Sequence, residues 1–254
     1  MTAEDPFSLV GRRAVVTGGN RGIGAAIVLA LARAGADVVS VHRTAEEPPV
    51  AAEVRALSRA YAAVHADLAL IDDLQAVAAL IIAQHGPIDI LVNNAGLIIR
   101  RPAAEVRLHE WRLLLDTDLT AAFVLCQAFG RPMLERQSGA IVNVASVLSF
   151  QGGINVPAYA AAKSGLAGLT RALANEWAGQ GVNVNAVAPG YIATDQTAPL
   201  IADPVRSAQI SVRIPAGRWG RPEDVAGAVV FLCSPAAAWV HGHVLAVDGG
   251  WLAR

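Results

Sequence analysis

Residues 13–24 read RAVVTGGNRGIG, a short apolar run followed directly by a glycine-rich turn. The run Arg13–Thr17 is rich in valine and predicts a buried strand, and apolar side chains recur at helical spacing after the turn. Glycines let the main chain approach a pyrophosphate closely, and the free amides at the start of a helix favour its negative charge. A glycine turn by itself is weak evidence, but a strand before it and a helix after it predict a nucleotide-binding fold.

Short apolar runs rich in β-branched residues recur along the chain, separated by longer stretches with helical periodicity. This alternation predicts parallel pairing, and strands that are apolar throughout are typical of a sheet covered by helices on both faces. We therefore expect one α/β domain over residues 1–254, a doubly wound Rossmann-type parallel sheet of about seven strands. The predicted strands are Arg13–Thr17, Asp37–His42, Ala62–Ala66, Ile88–Asn93, Ala140–Ala145, Val182–Ala188 and Val244–Val247.

Composition narrows the class of partner. The 254-residue chain has a net charge of -1, which argues against nucleic acid or an anionic membrane surface and favours a small molecule. Cys126 and Cys233 lie in apolar stretches without metal-ligand spacing, so we expect buried free thiols, no metal site and reducing surroundings. The first residues are acidic and polar, unlike a signal peptide, and no uncharged apolar run of membrane-spanning length follows, so we expect a cytoplasmic protein.

One feature of the composition singles out a pair of side chains. The chain has twenty Lys and Arg residues, yet only Lys163 is a lysine, and it stands four residues after Tyr159. A planar guanidinium cannot replace a compact ammonium that donates hydrogen bonds in several directions, so we expect Lys163 to do something arginine cannot. Four residues apart on a helix, the two side chains share one face, and Pro157 is expected in the first turn of that helix.

The end of the second predicted strand bears on the choice of cofactor. A dinucleotide fold that selects NAD usually presents an acidic residue there to the ribose hydroxyls. This chain has His42 and Arg43 instead, and Arg43 together with Arg21 could clamp a 2′-phosphate, which favours NADP over NAD. In an arginine-rich chain the alternative is that both are ordinary surface residues.

These residues, with others along the chain, resemble the short-chain dehydrogenases/reductases over essentially the full length. The matching motifs are the glycine loop Thr17–Gly24, Asp67-Leu68, Asn93–Gly96, Ser146, Tyr159 with Lys163, and Pro189-Gly190 followed by Thr194. The resemblance implies a Rossmann-type domain, commonly a tetramer, and hydride transfer between NAD(P) and an alcohol or ketone. The cofactor contacts that it implies are Gly18, Asn20, Arg21, Gly22, Ile23, Gly24, Arg43, Asp67, Leu68, Asn94, Ala95, Gly96, Tyr159, Lys163, Pro189, Gly190, Ile192 and Thr194.

The resemblance assigns the chemistry to three side chains. Hydride transfer to a ketone puts negative charge on its oxygen, so a proton donor must lie within hydrogen-bond reach, and Tyr159 is that donor. A phenol gives up its proton poorly at neutral pH, and the ammonium of Lys163 would favour the phenolate anion. The resemblance also implies that Lys163 donates hydrogen bonds to the nicotinamide ribose hydroxyls. Ser146, at the end of the fifth strand, would hold and polarise the substrate carbonyl, although alone it would pass for a turn serine.

One position departs from the family pattern. Most of the family has an asparagine that supports a water-mediated proton relay to the lysine, whereas this chain has Asp118. An ionised carboxylate near Lys163 would stabilise the ammonium, which could weaken proton delivery without abolishing it. Alternatively, the main-chain carbonyl of Asp118 could hold the water whatever the side chain. We expect lower activity than in the Asp118→Asn variant.

Three segments, residues 143–154, 214–220 and 246–254, look like those of one group within the family, the 2-dehydro-3-deoxy-D-gluconate 5-dehydrogenases. Such enzymes interconvert a 5-keto and a 5-hydroxyl group on a 2-keto-3-deoxy sugar acid. A carboxylated substrate favours a cationic anchor, because a guanidinium binds a carboxylate through two hydrogen bonds. The candidate substrate contacts are Ser146, Gln151 and Tyr159 and, as anchors, Arg100, Arg101, Arg213 and Arg218.

Residues 189–222 interrupt the alternation of strands and helices with prolines and glycines. Ligands of doubly wound sheets bind at the carboxyl ends of the strands, near the point where strand order reverses. We therefore interpret residues 190–221 as a mobile lid over the substrate.

Two other functions stay open at this point. A 3-oxoacyl-carrier-protein reductase would share the catalytic residues, but it should carry a basic patch for its acidic carrier, and the sequence shows no obvious one. A catalytically idle NAD(P)-binding scaffold would explain Asp118, but the intact Ser146, Tyr159 and Lys163 argue against it.

Overall fold

A computed structural model describes residues 5–254 of the chain. The strands are β1 Arg13–Thr17, β2 Asp37–His42, β3 Tyr61–His65, β4 Ile90–Asn93, β5 Gly139–Val144, β6 Val182–Pro189 and β7 Val244–Val247. These described residues form a seven-stranded sheet in the order β3-β2-β1-β4-β5-β6-β7, with every neighbouring pair parallel. The predicted doubly wound α/β sheet is confirmed, and the predicted strand ends differ by no more than two residues.

Helices cover both faces of this sheet. The strands of the sheet are apolar throughout because both faces are buried. In β1, for example, Val16 packs into the core cluster on one face and Val15 into the cluster on the other. The helices are α1 Gly22–Arg33, α2 Val50–Ala56, α3 Leu74–His85, α4 Leu108–Leu115, α5 Ala121–Glu135, α6 Pro157–Trp177, α7 Ala198–Ala202, α8 Pro204–Ser211 and α9 Pro222–Cys233. The first cluster lies under α1 and α9, and the second lies under α3, α5 and the carboxyl-terminal half of α6.

Strand order reverses at β1, which pairs with β2 on one side and with β4 on the other. The glycine loop that follows β1 and the Asn94–Gly96 segment that follows β4 therefore leave the sheet side by side. This is the edge at which doubly wound sheets bind their ligands.

A π-helical turn, Asp116–Thr120, joins α4 to α5 without a loop. The combined stretch Leu108–Glu135 has the length and hydropathy that a membrane-spanning helix needs, and no other helix described in residues 5–254 does. Its side chains Leu125, Phe129 and Met133 lie buried against the sheet, as expected of a core helix.

The segment between β6 and α9 breaks the alternation, as predicted, and contains the short helices α7 and α8. The Asp203 side chain caps α8 by accepting hydrogen bonds from the Val205 and Arg206 N–H groups, both at 3.0 Å. An isolated bridge pairs Ile192 with Gly220, so the segment leaves the sheet and returns at nearly the same place.

Candidate active site

The loops after β1 and β4 are joined by hydrogen bonds. The Thr17 hydroxyl accepts the N–H groups of Asn94 at 3.0 Å and Ala95 at 2.9 Å. In return the Asn94 side-chain amide donates to the carbonyls of Thr17 at 2.9 Å and Gly18 at 3.2 Å. Asn94 and Ala95 were predicted to contact the cofactor, and in the structure hydrogen bonds to Thr17 hold them next to the glycine loop.

The glycine loop has the shape of an anion-binding turn. Gly18 and Gly22 adopt left-handed φ angles of 64° and 54°, which side chains disfavour. A Cβ at Gly24 would fall on the Gly18 carbonyl oxygen, so only glycine allows this close approach. No side chain caps the start of α1, where Arg21 occupies the N-cap position. The first amides of α1 are therefore available to a pyrophosphate.

The end of β2 offers no carboxylate to a ribose, as the sequence indicates. His42 is buried, and its Nδ1 lies 2.9 Å from the Thr44 carbonyl oxygen. Burial lowers the pKa of His42, so the imidazole is neutral at physiological pH. Asn20 Nδ2 lies 3.4 Å from the Thr44 hydroxyl, which brings the glycine loop against this strand end.

The two arginines expected to clamp a 2′-phosphate each face a carboxylate. Arg21 Nη1 lies 3.2 Å from Asp195 Oδ2, and Arg43 Nη1 lies 3.9 Å from Asp67 Oδ2. Both guanidinium groups are well exposed, so these contacts are weak and screened by solvent. A bound phosphate could therefore displace either carboxylate.

The other predicted cofactor residues lie at the same edge of the sheet. A Cβ at Gly190 would come within 2.8 Å of the Asp248 main chain, so this glycine allows the turn after β6 to pass close to the end of β7. Ile23 is in the first turn of α1, Asp67 and Leu68 follow β3 closely, Pro189 ends β6, and Gly190, Ile192 and Thr194 follow it.

Ser146 lies just after β5, as predicted. It is buried, and its Oγ accepts the Leu148 N–H at 3.1 Å, which caps the short 3-10 turn Val147–Ser149. The Ser149 hydroxyl donates to the Lys163 carbonyl at 2.7 Å and so joins this turn to α6. The motif pattern indicated Ser146 but not the role of Ser149.

Tyr159 and Lys163 lie one turn apart on α6, which begins at Pro157 as the sequence predicts. Lys163 is only 4% exposed, and its Nζ lies 5.6 Å from the centroid of the Tyr159 ring. Nζ donates to the Val144 carbonyl at 2.9 Å. The end of β5 therefore fixes the ammonium beneath the tyrosine.

Asp118 comes to the same place from the π-turn. Its Oδ2 lies 3.5 Å from Lys163 Nζ, and its Oδ1 accepts the Leu97 N–H at 2.8 Å. Burial raises the pKa of Asp118, and the Lys163 charge and the Leu97 N–H oppose that rise.

A buried polar network, whose pairing the sequence did not indicate, lies next to this site. Asn93 Nδ2 donates to Asn143 Oδ1, and Asn143 Nδ2 donates to the Thr170 hydroxyl, both at 2.9 Å. These bonds tie β4, β5 and α6 together. The available signal was an asparagine inside each of two otherwise apolar strands.

The predicted lid segment touches the loops of the site. Gln196 Nε2 donates to the Gly96 carbonyl at 2.9 Å, and Arg100 Nη2 donates to the Gln196 carbonyl at 3.0 Å. The Thr194 methyl group lies 3.6 Å from where a Cβ of Gly22 would stand. The start of the segment thus lies over the glycine loop.

Two of the four arginines considered as carboxylate anchors already bind carboxylates. Arg101 Nη2 lies 2.7 Å from Glu110 Oε1, and Arg218 binds both Asp224 oxygens, at 2.6 and 3.0 Å. Their charge is largely neutralised within the protein.

Arg213 is placed differently, with its guanidinium 3.9 Å from the centroid of the Trp251 ring. Within residues 5–254 it has no carboxylate partner at ion-pair distance. Trp251 packs on Tyr191 and belongs to the apolar cluster that includes Val147, the neighbour of Ser146. Gln151 lies on the loop between that serine's turn and α6.

Comparisons with known proteins find matches over nearly the whole chain. The family model described as "Enoyl-(Acyl carrier protein) reductase" matches residues 18–252. A 2-dehydro-3-deoxy-D-gluconate 5-dehydrogenase from Pseudoalteromonas atlantica is 50% identical over 252 residues, which cover 98% of this chain and 99% of that protein.

Two solved structures are also similar over nearly their full lengths. One, from Beutenbergia cavernae, was put forward as an NAD(P)-dependent gluconate 5-dehydrogenase and contains NADP at low occupancy. It is 56% identical, with a TM-score of 0.95, and the match covers 98% of this chain and 100% of that one. The other is a gluconate 5-dehydrogenase from Burkholderia cenocepacia in complex with NADP and tartrate. It is 37% identical, with a TM-score of 0.94 and 98% of each chain covered.

Proposed function

Because the chain belongs to the short-chain dehydrogenase/reductase family and is an NAD(P)-dependent oxidoreductase acting on CH–OH groups, we propose that it interconverts the 5-hydroxyl and 5-keto groups of a 2-keto-3-deoxy sugar acid. The observation that carries this proposal is the full-length similarity to a 2-dehydro-3-deoxy-D-gluconate 5-dehydrogenase at 50% identity. The approach of Lys163 to Tyr159 on α6, with the Lys163 ammonium held at the end of β5 just before Ser146, supports it.

In this proposal the chain's own residues hold the reactants and move a proton, and the nicotinamide, when bound, supplies or takes the hydride. Tyr159 donates its phenolic proton to the substrate oxygen as negative charge develops there, and Lys163 favours the resulting phenolate. The Ser146 hydroxyl holds the same oxygen. The glycine loop and the start of α1 bind the pyrophosphate.

The substrate is tested by following NADPH oxidation with a panel of 5-keto sugar acids, neutral ketoses and 3-oxoacyl thioesters. We expect kcat/KM to be highest for a keto sugar acid. Acyl thioesters are included because the matching family model is described as an enoyl-(acyl carrier protein) reductase. A preference for the thioester would replace our proposal with a carrier-protein reductase.

Arg213 is the anchor that we propose for the substrate carboxylate. Two observations support this role. The Arg213 guanidinium stacks on Trp251, which packs beside the turn that follows Ser146, and Arg213 has no carboxylate partner among the described residues. Arg213→Gln should raise KM for the sugar acid about tenfold or more and leave a neutral ketose unaffected. Arg206→Gln, on α8, is the matched control, and an equal loss for acid and neutral substrates would reject this role.

We propose NADP as the preferred cofactor, with Arg21 and Arg43 on its 2′-phosphate. The support is the absence of an acid at His42, the exposure of both guanidinium groups and the NADP found in related structures. Arg43→Gln should lower the NADPH-to-NADH ratio of kcat/KM about tenfold or more, while Arg33→Gln on α1 should not. A wild-type enzyme that prefers NADH by about tenfold would refute the clamp.

We also propose that the chain acts as a single domain in a cytoplasmic homotetramer, with residues 190–221 as its lid. Leu108, Leu113 and Phe123 leave apolar surface exposed along α4 and α5, which favours burial against a second copy. Light scattering at several concentrations tests the assembly.

Hydrogen exchange tests the lid, because amides in 190–221 should gain protection when NADPH binds.

A further inference from the structure

Asp118 and Lys163 form an ion pair that is shut off from water. Their side chains are 0% and 4% exposed, and Oδ2 lies 3.5 Å from Nζ. At such burial the two charges interact much more strongly than a surface pair. The charge on one group therefore depends directly on the charge of the other.

The main chain is shaped to admit the carboxylate. The π-turn adds a residue to the helix where Asp118 points inward, and such turns are frequent at functional sites. A Cβ at Gly96 would stand 2.8 Å from Asp118 Oδ2, so glycine leaves the room that this oxygen occupies. Oδ1 is held by the Leu97 N–H, whereas Oδ2 has no hydrogen-bond partner among the described residues.

The charges around the carboxylate are few. Among the described residues of α6, the charged group that acts on Asp118 is Lys163. Tyr159, which can also titrate, lies next to the Lys163 ammonium on the same helix. From the π-turn itself, Asp116 is only partly buried and accepts the Thr120 hydroxyl at 3.4 Å. The loop after β4 and the end of β5 contribute an N–H and a carbonyl, neither of which titrates.

We propose that Asp118 is ionised beside Lys163 despite its burial, and that it is a positioning residue whose carboxylate keeps Lys163 protonated and partly cancels the pull of that ammonium on the Tyr159 phenolate. The carboxylate thereby sets the pH range of the reaction. This inference rests on the proposed roles of Tyr159 and Lys163.

The sole lysine makes this pair directly measurable. Protein labelled with ¹⁵N-lysine should show one side-chain signal, and a pH titration of that signal reports when Lys163 loses its proton. In Asp118→Asn the amide oxygen can still accept the Leu97 N–H, but the negative charge is gone. We expect Lys163 to lose its proton at a pH lower by about one unit or more, a tenfold change in proton affinity.

Two further variants complete the titration. Asp116→Asn removes a carboxylate from the same turn and should titrate like the wild type. Asp118→Ser is a second neutral variant in case the asparagine protein does not fold. If Lys163 titrates at the same pH with and without the Asp118 charge, the inference is wrong.

A kinetic readout separates a charge effect from a structural one. In alcohol oxidation, the rising limb of the pH–kcat profile should move to lower pH in Asp118→Asn, with higher kcat near neutrality and little change in KM. A uniform loss of kcat with an unmoved limb would reject the inference. The NMR result needs no substrate, so failure to turn over any sugar acid would reject the proposed function and leave the titration to decide this inference.

Discussion

Lys163 shows how one residue type can be required by its surroundings. Its Nζ reaches the Val144 carbonyl, the Asp118 carboxylate and the face of Tyr159 from a position that is 4% exposed. A compact ammonium can present its charge to all three groups at once, whereas a planar guanidinium is larger and donates within one plane. The chain keeps its one lysine where arginine would not serve.

Lys163→Arg should therefore keep the positive charge and lose most of the turnover, by about hundredfold or more in kcat. Steady-state kinetics with a saturating keto acid and NADPH would measure this, with circular dichroism to confirm folding. Arg171→Lys, on an exposed position of the same helix, makes the reverse exchange as a control. Near-normal kcat in Lys163→Arg would show that a positive charge alone is enough.

Gly24→Ala should weaken binding of NADP(H) about tenfold or more, because the new methyl group would fall on the Gly18 carbonyl and displace the loop. Quenching of protein fluorescence by NADPH would give the dissociation constant. Gly168→Ala on α6 meets nothing within 4 Å and should bind NADPH normally. Equal affinity in the two variants would mean that the loop tolerates a side chain at residue 24.

Among the elements, the strands were predicted best. Valine-rich runs such as Val15-Val16 are dictated locally, because both faces of a strand between two helical layers must be apolar. The π-turn at Asp116–Thr120 was not predicted, since one extra residue in a helix changes the apolar spacing too little to be seen. Helices α7 and α8 are too short for periodicity to indicate them, and the prolines around them suggested only irregular chain.

Helix α9 begins with a polar arrangement whose strength depends on pH. The Asp224 carboxylate binds the Arg218 guanidinium and also accepts the Arg221 N–H at 2.7 Å, and these contacts lower the pKa of Asp224 to about 2. Because the folded pKa lies below that of the unfolded chain, this stabilisation is complete above pH of about 4. It is lost as pH falls through about 2.

Asp224→Asn should lower the free energy of unfolding by about 1 kcal/mol at pH 7, as the loss of a helix-capping carboxylate does. The difference from the wild type should shrink between pH 4 and 2, where the wild-type carboxyl itself becomes protonated. Urea unfolding at several pH values measures both. Glu223→Gln, an exposed neighbour in the same turn, should show neither effect, and a pH-independent difference for Asp224→Asn would point to packing instead of charge.

At the scale of the whole molecule, the two thiols report on the integrity of the core. Cys126 and Cys233 are free and buried, and burial raises the pKa of Cys126 to about 12 and that of Cys233 as well. Reaction requires a thiolate that the reagent can reach, so both should react roughly a hundredfold more slowly in the native protein than in the unfolded chain.

Labelling with a thiol reagent at increasing urea, followed by mass spectrometry, measures this protection. We expect both cysteines to become reactive together, at the urea concentration where circular dichroism is lost. Fast labelling of one thiol in native buffer would contradict the buried assignment and indicate local opening near α5 or α9.

The sequence by itself determined the class of the fold and the types of residue in the site. Strand and helix follow from local apolar spacing, the glycine loop follows from a close approach that side chains forbid, and Tyr159 and Lys163 share a face because a helix repeats every 3.6 residues. Each of these depends on neighbours within a few positions.

The tertiary structure alone decided which distant partners meet. In the folded chain Asp118 lies next to Lys163, Arg101 and Arg218 form ion pairs with carboxylates, and Arg213 stacks on Trp251. Local patterns cannot determine such pairs, because they arise only when parallel strands bring their carboxyl ends to one edge and helices pack across them.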